Sequence, residues 1–187
     1  MNTSIDSNRP ARRDEIQIRS GRYFDFVEPD TNQFSIYDIA ASISKLCRFT
    51  GHCNEFYSVA QHSVMASYIV PPEFAYDALM HDAAEAFTGD VSKPLKNLLP
   101  DFKIIEKRVE RVVFARFGVR NPLPDYVKYA DLVMLATERR DLMPEDDEDW
   151  ESTDGIPELP EIIVPVNDKQ AYTMFMNRYY ELRGLPA

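Results

Sequence analysis

Cysteine is scarce in this sequence, and acidic residues outnumber basic ones. Its two cysteines, Cys47 and Cys53, belong to no CxxC pair, so a structural zinc knuckle is not indicated. With 31 acidic and 21 basic residues the formal net charge is −10, which argues against a surface that binds nucleic acid polymers. A small phosphate ligand held by a few local cations stays compatible with this charge. We expect a cytoplasmic protein with reduced thiols.

Long hydrophobic runs are also missing. No apolar run approaches the ~20 residues that a membrane-spanning helix needs, and the N-terminus has no apolar core of a secretory signal. We predict a flexible N-terminal arm at residues 1–14 and a single domain at residues 15–187, because 187 residues suit one sizeable core. The acidic run at residues 145–149 is predicted to be a solvated loop.

Helical periodicity dominates the rest of the chain. Alternating residues on both sides of Ser20-Gly21 predict a short β-hairpin. Apolar residues at helical spacing then predict a series of helices. They run over about 36–47, about 59–70, from Pro72 into His81-Asp82, and over about 101–118, 125–142 and 168–182. The predicted fold class is therefore all-α with a minor hairpin.

The stretch HDAAEAFTGD, from His81 to Asp90, concentrates groups that can bind metal or move protons. Glu85 follows His81 by four residues and Asp82 by three, so the three side chains share a broad helical face. Gly89 is expected to end this helix, which places Asp90 in the turn beyond it. Burying such groups without partners is costly, so we interpret the stretch as a divalent-metal hydrolase site.

Two more polar residues, His62 and Asp131, fall on or beside apolar stripes of other predicted helices. A single buried histidine is usually an ordinary core residue. Considered together with His81 and Asp82, however, these side chains would all be stabilised by one shared cation. Two imidazoles and two carboxylates suit Mn, Co, Zn or Fe, whereas ligation by oxygen alone would favour Mg or Ca.

These residues resemble the H…HD…D pattern of the HD-domain phosphohydrolases. The segments that carry the resemblance are SVAQHS at 58–63, HDAAE at 81–85, TGD at 88–90, and Asp131. They are most similar to the bacterial 5′-deoxynucleotidases and the related phage deoxyadenosine-triphosphate phosphohydrolases, over about residues 35–142. The HD dipeptide alone is a weak signal, but this combination is specific. The resemblance implies an HD-domain helical bundle.

The resemblance also implies roles for individual residues. It implies four metal ligands, namely His62, His81, Asp82 and Asp131. It further implies that Glu85 and Asp90 assist catalysis, in which hydroxide on the metal attacks the 5′-phosphate of a nucleotide while a carboxylate handles its proton. The alternatives are a surface charge for Glu85 and an ordinary turn residue for Asp90.

Substrate contacts are expected around Arg48-Phe49, which resembles an Arg-aromatic pair of the deoxynucleotidases. In that group the arginine binds phosphate and the aromatic residue, usually Trp, crowds the sugar 2′ position, so Phe49 departs from the pattern. Lys93 and Lys96 are candidates for further phosphates or are merely solvated. His52 is a candidate to contact a phosphate or to protonate a leaving group, or else it is a structural residue.

The expected activity is hydrolysis of a nucleotide, either to phosphate from a monophosphate or to triphosphate from a triphosphate, with additional Mg as an option. One alternative substrate is a cyclic dinucleotide or guanosine tetraphosphate, although the HDxGK element usual in cyclic-dinucleotide enzymes is absent. Another alternative is a catalytically idle module that senses nucleotides. Apolar stripes on the predicted helices 101–118 and 168–182 exceed the needs of one core, which favours a homo-oligomer, at least a dimer.

Overall fold

The computed structural model describes residues 14–145, 148 and 150–185. Within them the chain is mostly helical with one two-stranded antiparallel hairpin, as the sequence predicts. The elements are β1 (Glu15–Gln17), β2 (Tyr23–Asp25), α1 (Ile36–Ile43), α2 (Val59–Ile69), α3 (Ala75–Met80), α4 (Glu85–Thr88), α5 (Lys93–Leu98), α6 (Pro100–Phe117), α7 (Asp125–Leu142) and α8 (Asp168–Arg183).

Two predicted segments lie partly outside the described residues. Residues 1–13 of the predicted N-terminal arm lie outside the described residues, as do residues 146, 147 and 149 of the acidic run. In the part of the chain that is described, no helix combines the length and the apolar character needed to cross a membrane.

The hairpin supports the segment that carries the candidate site. β1 and β2 pair with Ile16 opposite Phe24, and Gly21 makes the turn with a positive φ of 81°. Phe24 is fully buried, and its ring stacks on Phe87 of α4 with a centroid distance of 4.0 Å. The hairpin therefore packs directly against the helix that begins with Glu85.

α2 is the central helix of the bundle and contacts α3, α7 and α8. Ser58 begins it by accepting a hydrogen bond from the backbone N–H of Gln61. Polar residues on α2 are buried together with apolar ones, and they are satisfied inside the protein. Ser63 donates to the carbonyl of Val59, and Gln61 bonds the backbone of the segment before α8. His62, on the same helix, faces the candidate site.

The apolar core surrounds α2 and continues between α1, α4, α6 and α8. Its largest fully buried members are Phe24, Ile39, Ile43, Leu79, Met80, Phe114 and Phe175. α6 ends at Gly118, whose left-handed backbone at φ 71° closes the helix as predicted.

Two predicted helix ends are wrong. α1 ends at Ile43 rather than near Cys47, because Cys47 adopts extended backbone and pairs with Ser58. α3 ends at Met80, so His81 and Asp82 lie in a turn and not within a helix. In this turn the backbone N–H groups bond three residues back, from Ala83 to Met80 and from Glu85 to Asp82, which tightens the chain.

Candidate metal centre

Four side chains from three parts of the fold meet at one point. His62 comes from α2, His81 and Asp82 from the turn between α3 and α4, and Asp131 from α7. The Nε2 atoms of the two histidines are 3.3 Å apart. His62 Nε2 lies 3.2 Å from Asp131 Oδ1 and 3.6 Å from Asp82 Oδ2, while His81 Nε2 lies 3.1 Å from Asp82 Oδ2 and 3.8 Å from Asp131 Oδ1.

Hydrogen bonds at the Nδ1 atoms fix the orientation and the tautomer of the two histidine rings. Nδ1 of His81 is 2.7 Å from the carbonyl oxygen of Ala78, which can only accept, so Nδ1 carries the proton. Nδ1 of His62 is 2.6 Å from Glu138 Oε1 and donates to it in the same way. When the rings are neutral, both Nε2 lone pairs face the cluster, which is how metal-binding histidines are usually held.

The spacing of these atoms fits a single transition metal ion. Ligand atoms about 2.1 Å from an ion are about 3 to 4 Å from one another across its coordination shell. The five distances above fall in that interval. The donor set of two imidazoles and two carboxylates also matches the preference of Mn, Co, Zn or Fe. Among the described residues, His62, His81 and Asp131 form the compact group able to hold a metal, and Asp82 lies outside that group although its carboxylate approaches both histidines.

The protonation equilibria of the cluster show how strongly it attracts positive charge. Burial opposes the effect, but Asp82 and Asp131 raise the pKa of His81 well above its usual range. Against burial, His81 lowers the pKa of Asp82 to about 2. Hydrogen bonds from His62 and His81 overcome burial to hold the pKa of Asp131 well below its usual range. Positive charge on the two rings and negative charge on the two carboxylates therefore favour each other within the cluster.

One side of the cluster is buried, and the other side is exposed to solvent. The side chain of His62 is fully buried, whereas that of Asp131 is 44% exposed. The exposed carboxylate of Asp131 therefore lies on the side of the cluster that is open to solvent.

Glu85 and Asp90 flank the cluster on α4 and on the turn beyond it. Burial and the charges of Asp82 and Asp90 raise the pKa of Glu85 well above its usual range. Glu85 Oε2 is buried without a hydrogen-bond partner among the described residues. Burial also raises the pKa of Asp90, although Arg48 opposes this shift. Gly89 ends α4 as predicted, with a φ of 80°.

Arg48 lies at the edge of the cluster on a strained turn, Arg48–Gly51. Phe49 and Thr50 both adopt left-handed backbone, at φ 54° and 55°, which costs about 1 kcal/mol or more for each residue other than glycine. Arg48 Nη2 is 2.9 Å from Glu138 Oε2, and Nη1 is 3.8 Å from Asp90 Oδ2. Its Nε is buried without a partner among the described residues.

The other predicted substrate contacts are less closely tied to the cluster. Lys96 Nζ lies 2.5 Å from Glu106 and 3.7 Å from Glu85, so its charge is already shared by two carboxylates. Lys93 is exposed on the first turn of α5, and His52 is exposed at the end of the Arg48 turn. Neither side chain contacts the four ligand candidates in the described part of the chain.

Phe49 packs toward an aromatic residue of the acidic loop. Its ring centroid lies 6.0 Å from that of Trp150 and 5.5 Å from the Arg48 guanidinium. No sequence pattern connects Trp150 with the site, because about one hundred residues separate it from Phe49.

Glu138 is the residue that the sequence analysis missed. It belongs to the apolar stripe of α7, where it received no role, yet it contacts both His62 and Arg48. One signal for it was present. Glu138 follows Asp131 by seven residues, which is two helical turns, so the two carboxylates lie on one face of α7.

Comparison with known proteins gives a family relationship. No family model matches the chain. The chain is 46% identical to the uncharacterized protein YfdR of Escherichia coli strain K12 over 171 residues, which cover 91% of this chain and 96% of that protein. It is 30% identical over 124 residues to an uncharacterized protein of Rhodobacter capsulatus, covering 61% of this chain and 63% of that protein. The chain therefore belongs to the same family as Escherichia coli YfdR.

Proposed function

We propose that the protein is an HD-domain phosphohydrolase that uses a divalent metal to hydrolyse the 5′-phosphate of nucleotides. The observation that carries this proposal is that two carboxylate oxygens approach the Nε2 atoms of two adjacent histidines at distances of 3.1 to 3.8 Å. Each imidazole is held so that Nε2 is free to bind an ion. His62, His81, Asp82 and Asp131 would hold Co, Mn, Zn or Fe, with Mg as an optional additional ion. Such an ion polarises a phosphoryl oxygen and lowers the pKa of water.

The residues around the cluster have roles that suit this chemistry. Glu85 Oε2, which is buried and without a partner among the described residues, is the atom that we assign to accept a proton from the attacking water. Asp90 lies close enough to Arg48 to orient its guanidinium. Arg48 would bind the phosphate, because a planar guanidinium can donate two parallel hydrogen bonds to it.

Substrate selectivity follows from the same surroundings. Lys96 and Lys93, on α5, are the cations that would contact further phosphates of a triphosphate. His52 lies on the turn that carries Arg48 and would contact the outer part of the substrate. We propose the cytoplasm as the location, since nucleotides are found there and the cysteines are free.

The test is a panel of deoxy- and ribonucleotide mono- and triphosphates, each incubated with Co, Mn, Zn or Mg. We expect hydrolysis with at least one transition metal and little with Mg alone. Inorganic phosphate from monophosphates would identify a nucleotidase, and inorganic triphosphate would identify a triphosphohydrolase. Release of product only from guanosine tetraphosphate or a cyclic dinucleotide would replace the proposed substrate. Binding of metal and nucleotide without any product would indicate a sensing module.

We also propose that the protein forms a homo-oligomer, at least a dimer. The apolar residues of α8 are largely used in the core, where Phe175 and Met176 are buried. At the junction of α5 and α6, by contrast, Leu98 is 77% exposed and Ile104 58% exposed. Sedimentation should show a dimer or larger species that the combined Leu98→Ser and Ile104→Ser change shifts toward monomer. A wild-type protein that stays monomeric at high concentration would contradict this.

A further inference from the structure

Glu138 is a fully buried carboxylate that is shared by two other parts of the site. Its side chain is 0% exposed. Oε1 lies 2.6 Å from Nδ1 of His62 on α2, and Oε2 lies 2.9 Å from Nη2 of Arg48. Each oxygen therefore accepts from a different donor, and the two donors belong to separate segments of the chain.

A carboxylate in this position is costly unless both oxygens are paired. A single ion pair with Arg48 would satisfy its charge but would leave one oxygen unused. The second bond goes to the ring nitrogen of His62 that does not face the cluster. The same side chain thus sets the orientation of a ligand candidate and the position of the arginine next to it.

We propose that Glu138 is a positioning residue that holds His62 for the metal and Arg48 for the phosphate, so that both binding steps depend on one carboxylate. This inference rests on the proposed function for its phosphate part alone. Hydrogen-bonded carboxylates behind metal-binding histidines fix the ring tautomer, and losing one typically lowers metal affinity by about ten- to a hundredfold.

Glu138→Gln weakens the hydrogen bonds to His62 and Arg48 while leaving the shape of the side chain almost unchanged. The amide oxygen accepts from one donor only, and the amide NH₂ then faces the other donor. The charge that strengthens both bonds is lost in either orientation. We expect the affinity for Zn or Co, measured by calorimetric titration, to fall by about ten- to a hundredfold. At saturating metal we expect kcat to recover, while the KM for nucleotide stays raised by about tenfold because Arg48 is less well held.

The histidine rings provide a second measurement. The chain has three histidines, so their ring signals are readily assigned by nitrogen-15 NMR of the Zn-loaded protein. Glu138→Gln should shift the Nδ1–H signal of His62 and speed its exchange with water. The Nδ1–H of His81, which donates to the Ala78 carbonyl, should be unchanged and serves as an internal reference. A role in stability alone would not select one ring over the other.

Asp141→Asn is the matched control. Asp141 is another carboxylate of α7, with a side chain 4% exposed, that pairs with an arginine and a backbone N–H but lies away from the cluster. The Asp141→Asn variant should leave the metal affinity and the Nδ1–H signals of both histidine rings unchanged. Should Glu138→Gln fail to fold, the double variant Arg48→Gln with Glu138→Gln removes the opposite charges together, and the same expectations hold for His62 and the metal.

The outcomes separate this inference from the proposed function. A metal affinity within about twofold of wild type, with an unchanged His62 signal, would overturn the inference even if the wild type hydrolyses nucleotides. A loss of metal affinity in Glu138→Gln would support its metal part even if no nucleotide is hydrolysed by the wild type, in which case the proposed function fails by itself.

Discussion

The two sides of the site are held in different ways. On the metal side, each histidine is fixed by a hydrogen bond on its far nitrogen, to Glu138 for His62 and to a backbone carbonyl for His81. On the substrate side, Arg48 stands on a turn with left-handed backbone at the next two residues, and the nearby cations already pair with carboxylates of the protein. Under the proposed function, the metal side is preorganised, whereas Arg48 and Lys96 would exchange a protein carboxylate for a phosphate on the substrate side. The following predictions test this contrast.

Removing a ligand from the metal side should have the largest effect. His81→Ala or Asp82→Ala deletes one of the four converging donors, so we expect phosphate release to be abolished and bound metal to be lost. Metal content by mass spectrometry and a phosphate-release assay check both. His52→Ala is the matched control for metal content, because His52 is an exposed histidine that does not contact the cluster. Wild-type turnover in His81→Ala would refute the assignment.

Removing the proposed proton acceptor should slow catalysis strongly while leaving the metal side intact. Glu85→Gln keeps the volume and removes the basic group, so we expect kcat to fall by about a hundred- to ten-thousandfold. Metal affinity should change little, because Glu85 is not among the four converging donors. Titration of the variant with Co checks the second part. A variant with near-normal kcat would exclude Glu85 as the group that accepts the proton.

Changing the substrate side should affect substrate binding more than metal binding. Arg48→Lys keeps a positive charge for Glu138 but loses the planar guanidinium, so we expect the KM for nucleotide to rise by about tenfold or more. The affinity for metal should stay close to that of the wild type. Steady-state kinetics at saturating metal separates KM from kcat. An unchanged KM would show that Arg48 does not bind the phosphate.

Lowering the pH should weaken metal binding by a moderate, predictable amount. Although burial opposes it, Asp82 raises the pKa of His81 well above its usual range, and the pKa of His62 is also raised. Below those pKa values each ring holds a proton on the nitrogen that must bind the metal, so affinity falls as the pH falls. We expect about a tenfold loss per pH unit for each proton released, measured by titration with Co between about pH 6 and pH 8. An affinity independent of pH would contradict this protonation.

Much of the fold follows from local sequence patterns. The hairpin around Gly21, the start of α2 after Ser58 and the end of α6 at Gly118 depend on residues close together in the chain, and all three are confirmed. The end of α3 was predicted wrongly. The backbone of the turn at His81 and Asp82 stays near helical values, but its N–H groups bond to the carbonyl three residues back instead of four. Apolar periodicity does not distinguish these two bonding patterns.

Part of the candidate site could also be predicted from the sequence. His62, His81, Asp82 and Asp131 stand out because polar residues on buried stripes need partners, and the structure brings Nε2 of each histidine within 3.8 Å of both carboxylates. The spacing of Glu138 from Asp131 places it on the same face of α7, but its pairing with Arg48 was not predictable, because Arg48 lies 90 residues earlier in the chain. The strained conformation of Phe49 has no signal either, since glycine or asparagine is the usual mark of left-handed backbone.

Whether the four side chains bind one divalent ion is tested most directly by anomalous diffraction from crystals grown with Mn or Co. The account predicts one strong anomalous peak per chain, in contact with Nε2 of both histidines and with carboxylate oxygens of Asp82 and Asp131. No peak at this position in metal-saturated crystals, or a peak bound only by other residues, would contradict it.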